Sequence, residues 1–220
     1  MRIDVCLVGL ATVAVAWHLV METPASAQRP QIDALPELVR VTAGDDISAA
    51  VTRAPEQAGL PGGPVSVSME GYDFSLVSEF VVSARVLSRR RYRGDASSDI
   101  SPLDLALGWG PMARADKASQ LRVRQSRRFY IYSFPPGATL TTEMVSRNSA
   151  NMHMVPADDD VAADLMRVRE GDLVQIEGYL VDVSTESWRW TTSRTRSDTG
   201  AGACEIVLVR SVRAVPGSQV

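Results

Sequence analysis

The chain has 220 residues, enough for one domain with a sizeable core and a short appendage. Its 45% hydrophobic and 22% charged residues are an ordinary balance for a globular protein. The net charge of −3 excludes a strong overall positive field of the kind that draws proteins to nucleic acid.

The N-terminus has the pattern of an export signal. Residues 5–21 form an uncharged apolar run, and Ala25-Ser26-Ala27 fits the small-x-small pattern at which secretory signals are cleaved. We therefore expect an exported protein. Residues 1–27 are either a signal peptide cleaved before Gln28, which gives a periplasmic protein, or an uncleaved inner-membrane anchor that leaves the rest of the chain facing the periplasm. Any membrane contact is expected through this N-terminal segment.

Composition divides the remainder of the chain. Residues 28–64 are rich in Pro, Ala, Gly and Asp, which predicts a flexible linker with at most a short helix over residues 47–54. The linker ends at Pro61-Gly62-Gly63-Pro64, which breaks the chain. We expect a single β-rich domain over residues 65–215 and a tail over residues 216–220.

The domain shows the alternation of apolar and polar residues that is typical of strands. Strands are predicted at residues 80–87, 121–132, 151–155, 173–183, 188–190 and 204–209. Short helices are predicted at residues 101–108, 141–149 and 158–168, each beginning at a Ser, Thr or Asp cap. This order of elements predicts an α+β fold with an antiparallel, barrel-like (OB-like) sheet and two or three short helices.

Four segments resemble a family of uncharacterised exported or membrane-associated bacterial proteins. They are residues 100–110, 149–157, 168–172 and 198–205. The resemblance covers residues 72–209, implies a shared fold, and brings no activity, cofactor or catalytic residue with it. Separately, the Glu170-Gly171-Asp172 turn, which feeds a strand bent at a glycine, is similar to OB-fold and SH3-like barrels.

His153 and Cys204 are candidate catalytic residues, because they are the only histidine and the only cysteine beyond residue 27. A thiolate–imidazole pair would serve a cysteine-dependent hydrolase or transferase, with Asn151 or Asp198 orienting the ring. The structural alternative makes Cys204 a small buried residue at the start of a strand. His153 is then a hydrogen-bonded imidazole within a strand.

Asp198 is a third catalytic candidate. Asp198-Thr199-Gly200 matches the Asp-Thr-Gly core of aspartic proteases, which need two aspartates close enough to share a proton. In that family the motif follows an apolar strand, whereas here it follows a polar, arginine-containing segment. The alternative is a polar loop in which Asp198 pairs with Arg194 or Arg196.

Met152 and Met154 are candidate metal ligands. In a strand their thioethers project from one face, and soft thioethers favour Cu(I). With Trp188 or Trp190 as a cover, the set resembles the ligands of a periplasmic OB-fold copper chaperone. The departure is that His153 points to the opposite face. Core packing of the two methionines is the alternative, and no other cofactor is expected.

Arginine is concentrated in two segments, residues 85–93 and 122–128, which together hold nine arginines with Tyr92, Phe129 and Tyr130 interleaved. In an exported protein such a surface favours an envelope protein or an anionic envelope component over nucleic acid. Lipid headgroups and cell-wall polymers are such components. The alternative is a solvated face balanced by acidic residues.

Trp188 and Trp190 share one face of a predicted strand, with Arg189 on the other. They either line a ligand groove or close the core. Our leading hypothesis is a non-catalytic binding or interaction module of the bacterial cell envelope. Its expected surface combines the arginine segments with Asn151 and His153 and with residues 188–198, which include Arg194.

Overall fold

The structure, a computed structural model, describes residues 35–38, 46–69, 71–94, 97–195 and 203–217. The fold is mixed α+β, with a mostly antiparallel sheet and few helices, as the sequence predicts. The strands are β1 (Glu56–Gly59), β2 (Val65–Met69), β3 (Tyr72–Arg91), β4 (Leu103–Gly108), β5 (Arg122–Ser126), β6 (Phe129–Ser133), β7 (Ser149–Pro156), β8 (Leu173–Ser184), β9 (Arg189–Trp190) and β10 (Glu205–Val215). The described α-helices are α1 (Ile47–Ala50), α2 (Ala115–Ala118), α3 (Thr142–Arg147) and α4 (Asp159–Arg167).

The 20-residue strand β3 organises the main sheet, because it pairs with β1, β2, β4 and β8. The strand order is β1-β3-β4-β7-β10-β8-β9, and the additional β3–β8 pairing joins two strands that lie apart in this order. The β7–β10 pair is parallel, while the other described pairs are antiparallel. Strands β5 and β6 form a separate hairpin.

Strand alternation divides the buried residues of the main sheet between its two faces. Leu103, Leu105, Met152 and Met154 pack in one cluster, against residues of α4 such as Leu165. The opposite face carries a second apolar cluster: Phe74, Leu76, Tyr179, Ile206 and Leu208 belong to it. Polar residues that alternate with the first cluster along β4 and β7 therefore lie on the second face.

Gly178 allows β8 and β10 to approach closely. A Cβ atom placed on Gly178 would lie 2.0 Å from the carbonyl oxygen of Leu208, which no side chain can tolerate. The register of β10 shifts between Val209 and Ser211, opposite this glycine. The sequence predicts a bulge or bend in β8 at Gly178, whereas the extra residue lies in β10, opposite this glycine.

Two of the predicted helices are present with the expected caps. The Thr141 side chain accepts a hydrogen bond from the Met144 amide at the start of α3. Asp158 accepts one from the Val161 amide at the start of α4, which buries Val161 and Leu165. Both caps supply acceptors for amides that lack partners within the helix.

The helix predicted at residues 101–108 is wrong, because β4 occupies Leu103–Gly108. Ser101, Pro102 and Gly108 resemble the start and end of a helix, but Leu103, Leu105 and Leu107 alternate with a period of two. That alternation places all three leucines in one apolar cluster. Burial of both faces of the strand outweighs the local helix signals.

The sheet begins before the predicted domain start at Val65. Strand β1 lies within residues 28–64 and pairs with β3 between Glu56 and Gly59. The short helix α1 is in the same region, where Asp46 caps it through the Ser48 amide. Within residues 65–215 the described chain has three short α-helices, α2, α3 and α4.

The predicted export signal at residues 1–27 and the candidate Asp198 lie outside the described residues. Among the helices that the structure describes, none has both the length and the apolarity needed to cross a bilayer.

Candidate functional site

A buried polar cluster centres on a pair of cross-strand neighbours. Asp104 on β4 is directly opposite His153 on β7, so the two side chains lie on the same face of the sheet. His153 Nδ1 is 2.9 Å from Asp104 Oδ1. Asp104 is 0% and His153 2% exposed, so the pair is removed from solvent and holds the imidazole ring in one orientation.

Asn151 lies two residues before His153 and therefore on the same face. Its Nδ2 atom is 3.4 Å from Asp104 Oδ2, and its Oδ1 atom accepts a hydrogen bond of 2.6 Å from Gln125 of β5. The Asn151 amide also lies 3.8 Å from the sulfur of Cys204, which precedes β10. Asn151 thus links β4, β7, the β5–β6 hairpin and the start of β10.

Arg128 enters this cluster from the turn of the β5–β6 hairpin. Its Nη1 atom donates to Asp104 Oδ1 at 2.9 Å and to the Ser101 carbonyl at 2.9 Å. The guanidinium carbon lies 3.9 Å from the centre of the Tyr92 ring and 5.7 Å from that of Trp190. A cation between two aromatic rings and a carboxylate is held by electrostatic attraction from several directions.

The backbone of the hairpin turn is in an unfavourable conformation. Arg127 has φ of 51° and Arg128 has φ of 69°, a region that usually takes glycine or asparagine in two-residue hairpin turns. Each such residue costs about 1–2 kcal/mol. The buried contacts of the Arg128 side chain offset this cost, and the turn directs Arg127 and Arg128 to one end of the hairpin.

Two tryptophans from β9 and its preceding loop cover the cluster. The Trp190 ring is 4.5 Å from the His153 ring, and Trp188 is 5.9 Å from Trp190, centre to centre. Arg189, between them, is exposed. The sequence prediction that both tryptophans share a face opposite Arg189 agrees with these contacts.

Above the cluster lies an open cleft of about 530 Å³. Its lining residues come from the end of β3, the loop after it, the hairpin turn and the segment before β9. They are Arg90, Tyr92, Ser97, Ser126, Arg127, Arg128 and Trp188.

The lining residues that the structure describes are arginines, aromatic residues and two serines, and none of these described residues is a carboxylate. The charge of Arg128 is balanced by Asp104, whereas Arg90 and Arg127 are exposed. Burial and the nearby Asp104 carboxylate raise the pKa of Tyr92, so its hydroxyl remains neutral at physiological pH. The arrangement suits an anionic ligand with a ring or other flat face, which can stack on Trp188 or Tyr92.

Not every predicted arginine reaches this cleft. Arg85 is 5% exposed, and its guanidinium donates to the carbonyl oxygens of Ala113, Gly171 and Gly217. Burial lowers the pKa of Arg85. The predicted arginine surface is therefore divided between Arg85, which is buried and structural, and Arg90, which lies further along β3 and lines the cleft.

Arg194, a predicted ligand-binding residue, is paired elsewhere. Its Nη2 atom lies 2.6 Å from Asp182 Oδ2, rather than beside the cleft lining. The Thr192 amide donates to the other oxygen of the same aspartate at 3.0 Å. Asp182 thus anchors the segment after β9 to β8.

The predicted copper ligands do not form a common site. Met152 and Met154 are fully buried in the apolar cluster around Leu103 and Leu105, and His153 faces the opposite side of β7 toward Asp104. The described residues also contain no group of three or more His, Cys, Asp or Glu side chains placed to hold a metal ion. The geometry matches the core-packing alternative for both methionines.

Cys204 and His153 lie on the same side of the sheet. Glu205 pairs with Met152 in the parallel β7–β10 register, so Cys204 comes next to Asn151, which shares a face with His153. Its sulfur lies 3.8 Å from Asn151 Nδ2 and 3.9 Å from the carbonyl oxygen of Arg128, to which the thiol donates. The His153 ring is oriented by Asp104 and covered by Trp190. This arrangement restricts access of a substrate to the imidazole.

Sequence reasoning missed Asp104, the residue on which the cluster is centred, because residues 101–108 were predicted to be a helix. The signal that identifies it is the pattern Leu103-Asp104-Leu105-Ala106-Leu107. In a strand, this pattern isolates one carboxylate on the face opposite three leucines.

Comparison of the chain with protein-family models, with curated proteins and with solved structures finds no match.

Proposed function

We propose that this protein is an exported, non-catalytic binding module of the bacterial cell envelope, and that the cleft between Arg90, Arg127 and Trp188 is its ligand site. The observation that carries the proposal is the position of these three exposed or half-exposed residues above the buried Asp104–Arg128 pair. The Asp104–Arg128 ion pair fixes the hairpin turn beneath a cationic and aromatic lining, and such an arrangement is a pre-organised recognition site.

The finer fold that we propose is a barrel-like, OB-like sheet. The pairing of β3 with β8 supports it, because β3, β4, β7, β10 and β8 are then joined in a ring. The parallel β7–β10 pair and the position of α4 between β7 and β8 also agree with a five-stranded Greek-key order. In OB folds, ligands bind across the second and third strands and the adjoining loops. The corresponding strands here are β4 and β7.

The chemistry of the cleft selects a class of ligand. Arg90 and Arg127 match carboxylate or phosphate groups, and Trp188 with Tyr92 provides flat apolar surfaces for a sugar ring or a similar group. An anionic saccharide fragment of a cell-wall polymer meets both requirements. We propose such an envelope component, rather than nucleic acid, as the ligand.

Soluble muropeptides, which are carboxylated saccharide fragments of the cell wall, provide a direct test. They should bind the full chain with a dissociation constant below about 1 mM and change the tryptophan fluorescence, since Trp188 lies in the cleft. Isothermal titration gives the affinity, and a neutral chitooligosaccharide of equal length is the control for charge.

Variants of the lining sharpen the test. Trp188→Ala and the double variant Arg90→Gln/Arg127→Gln should each weaken muropeptide binding at least ten-fold. Arg167→Gln is the matched control, because Arg167 is exposed on α4, away from the cleft lining. Equal binding by all variants would show that the cleft is not the binding site. Binding of the neutral oligosaccharide as tight as that of the charged one would show that the arginines do not select an anionic ligand.

The exported location has a test of its own. A full-length chain expressed in a bacterial host should appear in the periplasmic fraction with Gln28 as its first residue, or in the inner-membrane fraction with residues 1–27 retained. Intact-mass measurement of each fraction distinguishes the two forms. Recovery of the whole chain from the cytoplasmic fraction would contradict export.

A further inference from the structure

The outward face of the β5–β6 hairpin carries the two most exposed large hydrophobic residues of the described chain. Phe129 is 50% and Ile131 58% exposed. They are two residues apart on β6, so their side chains project from the same face. Adjacent exposed apolar side chains on a strand commonly mark an interaction surface.

Arginines flank these two residues. In the hairpin register Arg124 is opposite Ile131, and Arg122 is opposite Ser133, which places both arginines on the outward face. Both are exposed, and neither has a carboxylate partner within the described part of the chain. Residues 121–134 contain no Asp or Glu, so every charge that the hairpin contributes to this face is positive.

The inward face fixes the hairpin to the domain. The Tyr130 hydroxyl lies 3.0 Å from Ser149 Oγ, and Gln125 donates to Asn151 at 2.6 Å. Tyr132 packs partly against the apolar cluster around Met112 and Leu140. The outward residues are therefore held on an anchored two-stranded sheet.

We propose that the outward face of the hairpin, formed by Arg122, Arg124, Phe129 and Ile131, docks on an anionic lipid surface. The guanidinium groups would contact lipid phosphates, and the Phe129 and Ile131 side chains would enter the boundary between headgroups and acyl chains. Two apolar side chains are too few for the roughly 800 Å² per partner of a stable protein interface. Shallow insertion assisted by cations needs no larger area.

This inference does not rest on the ligand site of the cleft. The two surfaces meet at the hairpin turn, where Arg127 lines the cleft. Docking of the outward face would hold the mouth of the cleft near the headgroup layer. Its test uses none of the lining residues, so each proposal can fail without the other.

The test measures co-sedimentation of the full chain with vesicles of phosphatidylcholine alone and of phosphatidylcholine mixed with phosphatidylglycerol. The N-terminal apolar run contributes equally in all variants, so the decisive quantity is the ratio of binding to anionic and to neutral vesicles. We expect this ratio to fall about 25-fold in Arg122→Gln/Arg124→Gln, at about five-fold per arginine. Phe129→Ser/Ile131→Ser should weaken binding to anionic vesicles at least ten-fold.

Matched controls are available on exposed positions elsewhere. Arg167→Gln/Arg169→Gln removes the same charge from α4 and the turn after it, and Val215→Ser removes another exposed apolar side chain. Both should retain the binding of the parent protein. Circular dichroism of every variant verifies that it is folded.

A second measurement does not depend on partitioning. In a Cys6→Ser/Cys204→Ser background, an environment-sensitive fluorophore attached through Ile131→Cys should brighten and shift to the blue on anionic vesicles. The same fluorophore attached through Val215→Cys should not respond. An unresponsive label at position 131, or hairpin variants that bind anionic vesicles as the parent does, would overturn the proposal. The proposal would also be overturned if the parent protein had no preference for anionic vesicles but self-associated, and if Phe129→Ser/Ile131→Ser abolished that self-association.

Discussion

Arg128 Nη1 lies 2.9 Å from Oδ1 of Asp104, so a guanidinium from a hairpin turn is paired with a fully buried carboxylate on β4. The same oxygen lies 2.9 Å from His153 Nδ1. One carboxylate therefore ties the β5–β6 hairpin to the main sheet and sets the orientation of the imidazole. Loss of either partner of such a pair leaves the other without its opposite charge in a largely desolvated site.

Asp104→Ala should lower the free energy of unfolding by about 3–5 kcal/mol, because Arg128, which is largely removed from solvent, loses the Asp104 carboxylate and His153 loses its hydrogen-bond partner. Chemical denaturation followed by circular dichroism measures the loss. Asp164→Ala is the control, since it removes a carboxylate from an exposed pair with Arg167 and should leave the unfolding midpoint nearly unchanged. A loss of less than about 1 kcal/mol for Asp104→Ala would show that water replaces the carboxylate in the cluster.

Gly178→Ala should destabilise the protein by about 3 kcal/mol or more, because the added methyl group would overlap the Leu208 carbonyl and force β8 away from β10. Gly59→Ala is a close control: Gly59 also lies in a strand, and a Cβ there would have no atom within 4 Å. Denaturant unfolding of both variants gives the comparison. Equal stability of the two would mean that β10 can shift locally at its register irregularity.

The strands with strong alternation could be predicted from sequence. Strands β7 and β8 lie where the pattern placed them, and α3 and α4 begin at the predicted Thr and Asp caps. These signals come from residues that are close together in the sequence. A strand with one buried face has apolar residues at every second position. The first amides of a helix need a hydrogen-bond acceptor just before the helix. Strand β4 was missed because Ser101 and Pro102 carry the local signals of a helix start.

The candidate site was less accessible to sequence reasoning, because its contacts are long-range. His153 and Asp104 are 49 residues apart and meet only through the β4–β7 register. Arg128 belongs to a dense run of arginines, and the left-handed backbone of the turn directs its side chain inward. The sequence does suggest Asn151, Trp188 and Trp190, since each lies in or next to a strand that alternation predicts. It does not indicate which arginines join them.

Burial raises the pKa of Tyr130 to about 12, although its hydrogen bond to Ser149 lowers the pKa in part. A tyrosine whose pKa is higher in the folded than in the unfolded state favours folding while it is protonated. That contribution is complete below the unfolded pKa, about 10, and is lost as the pH rises toward 12. The free energy of unfolding should therefore decrease between pH 10 and pH 12, by about 2–3 kcal/mol from this group alone.

Tyr130→Phe isolates this effect, because phenylalanine keeps the ring but has no ionisable hydroxyl. The variant should lose stability less steeply than the parent protein over the same pH range, as measured by urea unfolding at each pH. Absorbance at 295 nm should show one fewer tyrosine ionising at the alkaline end of the titration. A slope identical to that of the parent would assign the alkaline loss to other groups, such as Tyr92 and Tyr179, whose pKa values burial also raises.

Cys204 provides the measurement that separates a binding module from a cysteine-dependent hydrolase or transferase. Its thiol is half-buried and held between the Asn151 amide and the Arg128 carbonyl, so a reagent has restricted access to it in the folded protein. In a Cys6→Ser background, a thiol reagent should therefore modify folded protein much more slowly than protein unfolded in denaturant, as followed by intact mass. Cys204→Ala should bind muropeptides as the parent does. If labelling of the folded protein instead outpaces that of free cysteine and slows in His153→Asn, the imidazole activates the thiol, and the enzyme alternative displaces the binding module.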